Sequence, residues 1–235
     1  MLPQIKIPSN TEFLANLVLQ RTGAFLALGG ASALSNWFNY GDKESIANHL
    51  IKNNLTEKYI EALFYEISSE VKELRKYIGD GSLDRIVSIG PGNGLVELYL
   101  LSEGLTSEIL LVDIEDTSNH HHGFEIKGSG YASLEATKSF LQKNTNANIR
   151  VCNPYKEALP EFKFTLFISL LSMGFHYPCD EYVSFIEENA AANAMMVFDM
   201  RKGIIDIGGK SLLDKFYTHD VIPERKSDRV FLKNV

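Results

Sequence analysis

The sequence predicts an α/β fold: a doubly wound, mainly parallel sheet with a C-terminal antiparallel strand, preceded by an N-terminal helical cap. Three observations carry this expectation. From residue 85 onward, short β-branched or aromatic runs alternate with helical patterns, and such alternation builds a parallel sheet covered on both faces. The last two apolar runs are joined only by the polar turn Glu224 to Asp228, so that pair is antiparallel. The first 80 residues hold helical periodicity and no strand pattern. The chain is thus expected to divide into a helical cap or lid, 1–80, and a sheet domain, 81–235.

Taken in order, Thr11 to Gln20 is amphipathic, and Gly23 to Tyr40 holds an apolar run, the Gly29-Gly30 break and the single tryptophan, Trp37. A short helix is expected over Lys43 to Ile51. In the next segment Ile60, Leu63, Ile67, Val71, Leu74 and Ile78 recur at spacings of three or four, which places them on one face of a long helix capped by Thr56. The turn Gly79 to Ser82 ends the helical part. Strand Arg85 to Ile89 then runs into Gly90-Pro91-Gly92-Asn93-Gly94 and a helix from Leu95 to Leu101. Strand Glu108 to Asp113, a polar loop Ile114 to Gly130, helix Tyr131 to Lys143 and strand Asn148 to Cys152 follow. The fourth strand is read as Phe164 to Leu171, with a helix Asp180 to Asn189, a strand Ala194 to Asp199 and a short helix Lys210 to Phe216 after it. The closing strands are His219 to Ile222 and Arg229 to Leu232.

Composition narrows the function classes. The 235 residues are 45% hydrophobic and 23% charged, with a formal net charge of −7, which fits a folded domain with a sizeable core. An acidic chain lacks the Lys/Arg footprint that displaces counterions from a phosphate backbone, so a nucleic-acid partner is disfavoured. Two cysteines, Cys152 and Cys179, are too few for a disulfide framework and lack the paired spacing of a zinc site. No run nears the roughly 18 apolar residues of a transmembrane helix, and MLPQIKIPSN lacks the features of a signal peptide. The expected setting is cytoplasmic, with no membrane partner.

In an open parallel sheet, ligands bind beyond the carboxyl ends of the strands where strand order reverses. The exit of the first strand is therefore where chemistry is sought. Gly90, Gly92 and Gly94 allow a sharp turn and a close approach by a ligand, and the next helix aims free N–H groups at the same place. The spacing is G-x-G-x-G; a dinucleotide fingerprint would need a small residue at position 95, which is Leu95. Asp113 ends the second strand roughly 20 residues beyond the first glycine, where a carboxylate can accept both hydroxyls of a ribose.

On these residues, IVSIGPGNGLVELYL, Asp113, FTLFISLL and the antiparallel ending, residues 80 to 235 resemble the class I S-adenosylmethionine-dependent methyltransferases. The stretch SLLSMGFHYP is more weakly similar to proteins grouped as sugar O-methyltransferases. The resemblance implies S-adenosyl-L-methionine as cofactor, with Gly90, Pro91, Gly92, Asn93 and Gly94 at its methionine part, Asp113 at its ribose and Ile114 as a further cofactor contact. It implies that Cys152 and Asn153 flank the adenine and that Ser169 and Leu170 border cofactor and substrate. Two positions depart from the pattern: Ser88 stands where many members carry an acid for the cofactor's amino group, and Asn153 where an Asp is common.

Methyl transfer to oxygen needs the acceptor held in line with the methyl group and a base for its proton. His176, in Gly174-Phe175-His176-Tyr177-Pro178 directly after the fourth strand, is the candidate base, since an ordinary imidazole titrates near ~6.5. The alternative is a loop histidine that caps the next helix or packs beneath Trp37. Tyr177 either orients the substrate or packs. His120, His121 and His122 are consecutive, so their side chains diverge and do not make one tetrahedral site; no metal is expected. His121 and Tyr131, on the long loop, and Trp37 are candidate substrate contacts, as is Arg201, which with Asp199 and Lys202 forms a charged trio at a strand end.

The expected activity is methyl transfer to a small polar acceptor, such as a sugar hydroxyl. A catalytically weak cofactor-binding or interaction module on the same fold is the alternative, as is a protein or RNA methyltransferase, which would need a basic groove. The expected partners are a small-molecule acceptor and, left open, a second copy of the chain in a homodimer.

Overall fold

The computed structural model describes residues 5–8, 10–78, 84–104, 108–115, 133–202 and 209–234. Five helices come first: α1 (Thr11–Gln20), α2 (Thr22–Ala27), α3 (Ala31–Tyr40), α4 (Lys43–Lys52) and α5 (Thr56–Ile78). Asn10 caps α1 by accepting the Glu12 N–H at 2.8 Å, and Asp42 caps α4 by accepting the Ser45 N–H at 3.0 Å. Thr56, expected as the cap of the long helix, is its first helical residue instead. Gly41 ends α3 in the left-handed region at φ 69°, a conformation that costs a residue without Cβ nothing.

The alternating part follows as β1 (Arg85–Ile89), α6 (Leu95–Ser102), β2 (Glu108–Val112), α7 (Leu134–Asn144), β3 (Asn148–Cys152), β4 (Phe164–Ser169), β5 (Ser172–Tyr177), α8 (Asp180–Asn189), β6 (Ala190–Arg201), α9 (Gly209–Lys215), β7 (Tyr217–Pro223) and β8 (Ser227–Lys233). Seven strands form one sheet in the order β3-β2-β1-β4-β6-β8-β7. The first five in that order are parallel; β8 is antiparallel to both β6 and β7. The predicted doubly wound sheet with an antiparallel ending is the one found.

Strand alternation sorts the core into two faces. Ile86, Ile109, Leu111, Leu166, Ile168, Val197 and Phe231 pack with the apolar sides of α1 to α7. Val87, Leu110, Val112, Phe167, Met196, Phe198 and Val230 pack with α8, α9 and Met173 of β5. The five N-terminal helices therefore share a continuous core with the sheet; Tyr77 of α5 stacks on Phe231 of β8 at 4.8 Å between centroids.

The fourth strand differs from expectation. The run read as a single strand to Leu171 stops at Ser169, and Ser172–Tyr177 is a separate strand. Leu171 sits at φ 57°, which turns the chain between them. β5 runs against the end of β6: a Cβ built on Gly174 would lie 3.1 Å from the Asp199 carbonyl oxygen. Helix α7 also starts later than expected, at Leu134, behind a Ser133 cap that accepts the Ala136 N–H at 3.4 Å.

Candidate functional site at the strand-order reversal

β1 is flanked by β2 on one side and β4 on the other, so chain order reverses there, and the crevice in which open α/β sheets bind ligands belongs beyond the β1 and β4 exits. Gly90, Gly92 and Gly94, all at positive φ (65°, 58° and 71°), form the turn over it. Each of three neighbours pins this turn. Ser172 fills the space a Gly90 side chain would need, with its Oγ 2.2 Å from that Cβ position. Thr137 of α7 donates its hydroxyl to the Gly92 carbonyl at 2.8 Å. From α1, the Gln20 Oε1 accepts the Asn93 N–H at 3.1 Å and the Asn93 Nδ2 at 3.2 Å. Gly94 caps α6 without any side-chain acceptor, so the helix presents its first N–H groups and the positive end of its dipole to the crevice.

Beneath the turn lies a buried polar pair. Ser88 of β1 donates its hydroxyl to the Glu97 Oε1 on α6 at 2.5 Å. Glu97 is 3% exposed and its Oε2 has no hydrogen-bond partner among the described residues. Burial pushes its carboxyl up to about 7, against the lowering effect of the Ser88 bond. A carboxyl thus sits beside Ser88 after all, supplied by the helix rather than the strand.

The β2 exit carries Asp113, whose Oδ1 accepts the Glu115 N–H at 2.9 Å. Burial pushes the Asp113 carboxyl up to about 6, with the Glu115 N–H bond opposing it. Glu115, at φ 51°, ties neighbouring elements together: Oε1 accepts the Leu134 N–H at 2.9 Å, and Oε2 accepts from Asn153 Nδ2 and Lys156 Nζ, both at 3.3 Å. Asn153 spends its other amide hydrogen on the Ile114 carbonyl at 3.0 Å and its oxygen on the Tyr155 N–H at 3.0 Å. Its side chain therefore clamps the β2 and β3 exits together. Burial raises the Tyr182 phenol, and the charges of Glu181, Asp113, Tyr155 and Tyr177 act in the same direction.

At the β4 exit, Ser169 donates its hydroxyl to the Ile89 carbonyl at 3.1 Å and accepts the Met173 N–H at 2.8 Å. Leu170 packs against the apolar core, and the Leu171 N–H is held by Asp199 Oδ2 at 3.1 Å. His176 and Tyr177, placed by sequence on a loop after strand four, are the last two residues of β5, each partly buried. The His176 ring lies edge-on to Phe175 at 4.9 Å. Trp37 is a core residue of α3, 7% exposed and packed on Phe38.

The three charged residues at the end of β6 each have a neighbour of their own. Asp199 is buried and gripped by Arg229, Arg201 lies over the Phe175 ring at 5.2 Å, and Lys202 pairs with Asp228 at 3.1 Å. His121 and Tyr131 fall outside the described residues. No group of three His, Cys, Asp or Glu suited to a metal ion occurs among the described residues, and no described helix is long and apolar enough to cross a membrane. The thiols are buried and held protonated, Cys152 up to about 11 and Cys179 up to about 12.

Sequence reasoning missed Gln20, Glu97, Thr137, Glu115 and Arg229. Only Arg229 left a sequence signal: an Arg in the last strand, which must run antiparallel to the strand carrying Asp199.

No protein-family model matches the chain, and no curated protein matches it. Solved structures do. An S-adenosylmethionine-dependent methyltransferase from Aquifex aeolicus aligns over 70% of this chain and 89% of its own, with a TM-score of 0.50 and 11% identity. The tRNA methyltransferase TrmK of Bacillus subtilis aligns over 70% and 64% with a TM-score of 0.47 and 11% identity. A TehB-like S-adenosylmethionine-dependent methyltransferase from Corynebacterium glutamicum aligns over 69% and 85% with a TM-score of 0.45 and 14% identity. With the strand order above and the Aquifex structure beside it, this chain has the fold of the class I S-adenosylmethionine-dependent methyltransferases.

Proposed function

We propose that this chain is an S-adenosylmethionine-dependent methyltransferase acting on a hydroxyl of a small polar acceptor, such as a sugar, with His176 as the base. The observation that carries the reading is the placement of the uncapped glycine turn and the Asp113 carboxylate at the exits of two adjacent strands, beside the strand-order reversal. The donor set fits the cofactor. Backbone N–H groups at the α6 start suit the anionic amino-acid end, and Asp113 suits two ribose hydroxyls. Cys152 and Asn153 would flank the adenine, and Ser169 and Leu170 would border the methyl group and the acceptor.

Bound there, the cofactor supplies an electrophilic methyl group on a sulfonium. The chain's own residues do the rest: His176 takes the proton from the acceptor hydroxyl as its oxygen attacks, and Tyr177 orients the acceptor. A small acceptor agrees with the net charge of −7 and with basic side chains that are already paired to acids, Arg21 to Glu70, Arg229 to Asp199, Lys156 to Glu115 and Lys202 to Asp228.

Calorimetric titration with S-adenosylmethionine and S-adenosylhomocysteine tests the cofactor reading: both should bind, and failure of both to bind overturns it. For the base, His176→Ala should bind cofactor as the wild type does and lose turnover on an acceptor by roughly 10²-fold or more. Unchanged turnover removes His176 from the mechanism.

A further inference from the structure

Gln20 is the last residue of α1, 73 positions before the turn it touches. Its carboxamide orientation is fixed by chemistry. The Asn93 backbone N–H can only donate, so the atom facing it at 3.1 Å must be the carboxamide oxygen, and the second bond from Asn93 Nδ2 agrees. The amide nitrogen is thereby turned onto Gly92: a Cβ at Gly92 would lie 2.2 Å from Gln20 Nε2 and would push that nitrogen aside. Among the described residues nothing accepts a hydrogen bond from Nε2, and the residue is solvent-exposed. The neighbouring Arg21 is anchored to Glu70 of α5 by an ion pair at 2.5 Å, which holds the α1 terminus in place.

We propose that Gln20 is a cofactor-binding residue: its amide nitrogen, held over Gly92, donates a hydrogen bond to the carboxylate at the amino-acid end of S-adenosylmethionine. The inference rests on the methyltransferase reading above. Polarity along the crevice sets the direction. The α6 N-terminus attracts an anion, whereas the Asp113 carboxylate at the other strand exit repels one and accepts hydroxyls. The anionic end of the ligand therefore belongs at Gly92, where Gln20 adds a donor to the backbone's own. The N-terminal helices then supply part of the cofactor site as well as part of the core.

The test compares two ligands by calorimetry: S-adenosylhomocysteine, and 5′-methylthioadenosine, which keeps the nucleoside thioether and lacks the amino-acid end. Gln20→Leu should weaken S-adenosylhomocysteine roughly tenfold, as loss of a charge-assisted hydrogen bond does, and leave methylthioadenosine within about twofold. Gln20→Glu keeps an acceptor for Asn93 and puts a negative charge beside the ligand carboxylate. It should weaken S-adenosylhomocysteine further, again sparing methylthioadenosine. Unchanged S-adenosylhomocysteine affinity in either variant, or parallel loss of both ligands, overturns the role of Gln20. A wild-type protein that binds neither ligand overturns the methyltransferase reading instead.

Discussion

Arg229 grips Asp199 at two points across the β6–β8 pair, Nε to Oδ1 at 2.8 Å and Nη2 to Oδ2 at 3.1 Å. The Asp199 side chain is fully buried, and its Oδ2 also accepts the Leu171 N–H at the β4 exit. Arg229 lies 3.4 Å from Glu70, which in turn pairs with Arg21. One ionic chain thus joins the last strand, the turn beside the proposed acceptor site and the helix terminus that carries Gln20. Breaking a buried pair by removing one member leaves an uncompensated charge, which costs more than the pair contributes when intact. Arg229→Ala should lower unfolding free energy by about 3 to 5 kcal/mol in urea titrations at neutral pH. Asp199→Asn in the Arg229→Ala background should restore part of that loss, because the buried charge is gone while an oxygen remains for Leu171. Additive effects of the two changes would contradict the pairing.

Leu171 is a branched residue held at φ 57° and 43% exposed. The left-handed region costs an L-residue about 1 to 2 kcal/mol, and a glycine substitution releases that cost while adding unfolded-state entropy of about 0.5 to 1 kcal/mol. Leu171→Gly should therefore be neutral or stabilising by about 1 kcal/mol, where Leu171→Ala, still strained and with less apolar contact, is destabilising. The urea midpoints of the two variants decide it: the reverse order removes the strain argument.

Glu97 introduces a pH dependence of stability. Burial raises its carboxyl from 4.5 to about 7, so the folded state holds a proton that the unfolded chain releases at lower pH. Below 4.5 both states are protonated and no penalty arises; between 4.5 and about 7 the penalty of a buried carboxylate builds up, and above about 7 it is complete. Glu97→Gln keeps an acceptor for Ser88 and cannot ionise. It should match the wild type near pH 4 and exceed it by about 3 kcal/mol at pH 8. An equal difference at both pH values would show that the carboxyl does not titrate with folding.

The parts of the fold that can be read from sequence are those whose signal is local. RIVSI and EILLV are mostly apolar without alternation because both faces of a central parallel strand are buried, and the glycine turn announces itself because a backbone at φ 58° to 71° favours glycine. The break between β4 and β5 was hidden for the opposite reason: Leu171 holds a left-handed conformation that nothing in its side chain favours, and the hydrogen bond that holds it there comes from Asp199, 28 positions on. Gln20 and Asn93 meet across 73 positions, and Thr137 and Gly92 across 45. Such contacts follow from helix packing on the sheet. At the end of β6 the antiparallel register likewise puts Arg229 opposite Asp199 and pairs their charges.

Gly90 and Gly92 differ in what surrounds them. A Cβ at Gly90 would meet Ser172 Oγ at 2.2 Å and Ser172 Cβ at 2.4 Å, close to a rigid backbone; at Gly92 the obstacle is the end of the flexible Gln20 side chain. Both sit at positive φ. Gly90→Ala should cost about 3 kcal/mol or more, combining backbone strain with overpacking, and Gly92→Ala about 1 to 2 kcal/mol from strain. Urea unfolding of the two variants checks the order. Equal losses would mean that Ser172 yields as easily as Gln20.

Asp113 ties cofactor affinity to pH. Burial raises its carboxyl from 3.8 to about 6, with the Glu115 N–H bond opposing the shift and the Glu115 charge adding to it. Only the ionised form accepts hydrogen bonds from two ribose hydroxyls; a protonated carboxyl loses half of that capacity. As pH falls through about 6, the binding-competent form drops, and at pH 5 it is roughly a tenth of the total. S-adenosylhomocysteine should therefore bind roughly tenfold more weakly at pH 5 than at pH 7. Asp113→Asn retains one acceptor oxygen and cannot ionise, so it should bind more weakly than the wild type at pH 7 and show no change between pH 5 and 7. Calorimetry on both proteins separates the causes: a fall that persists in Asp113→Asn belongs to another group, and a flat wild-type profile removes Asp113 from the ribose site.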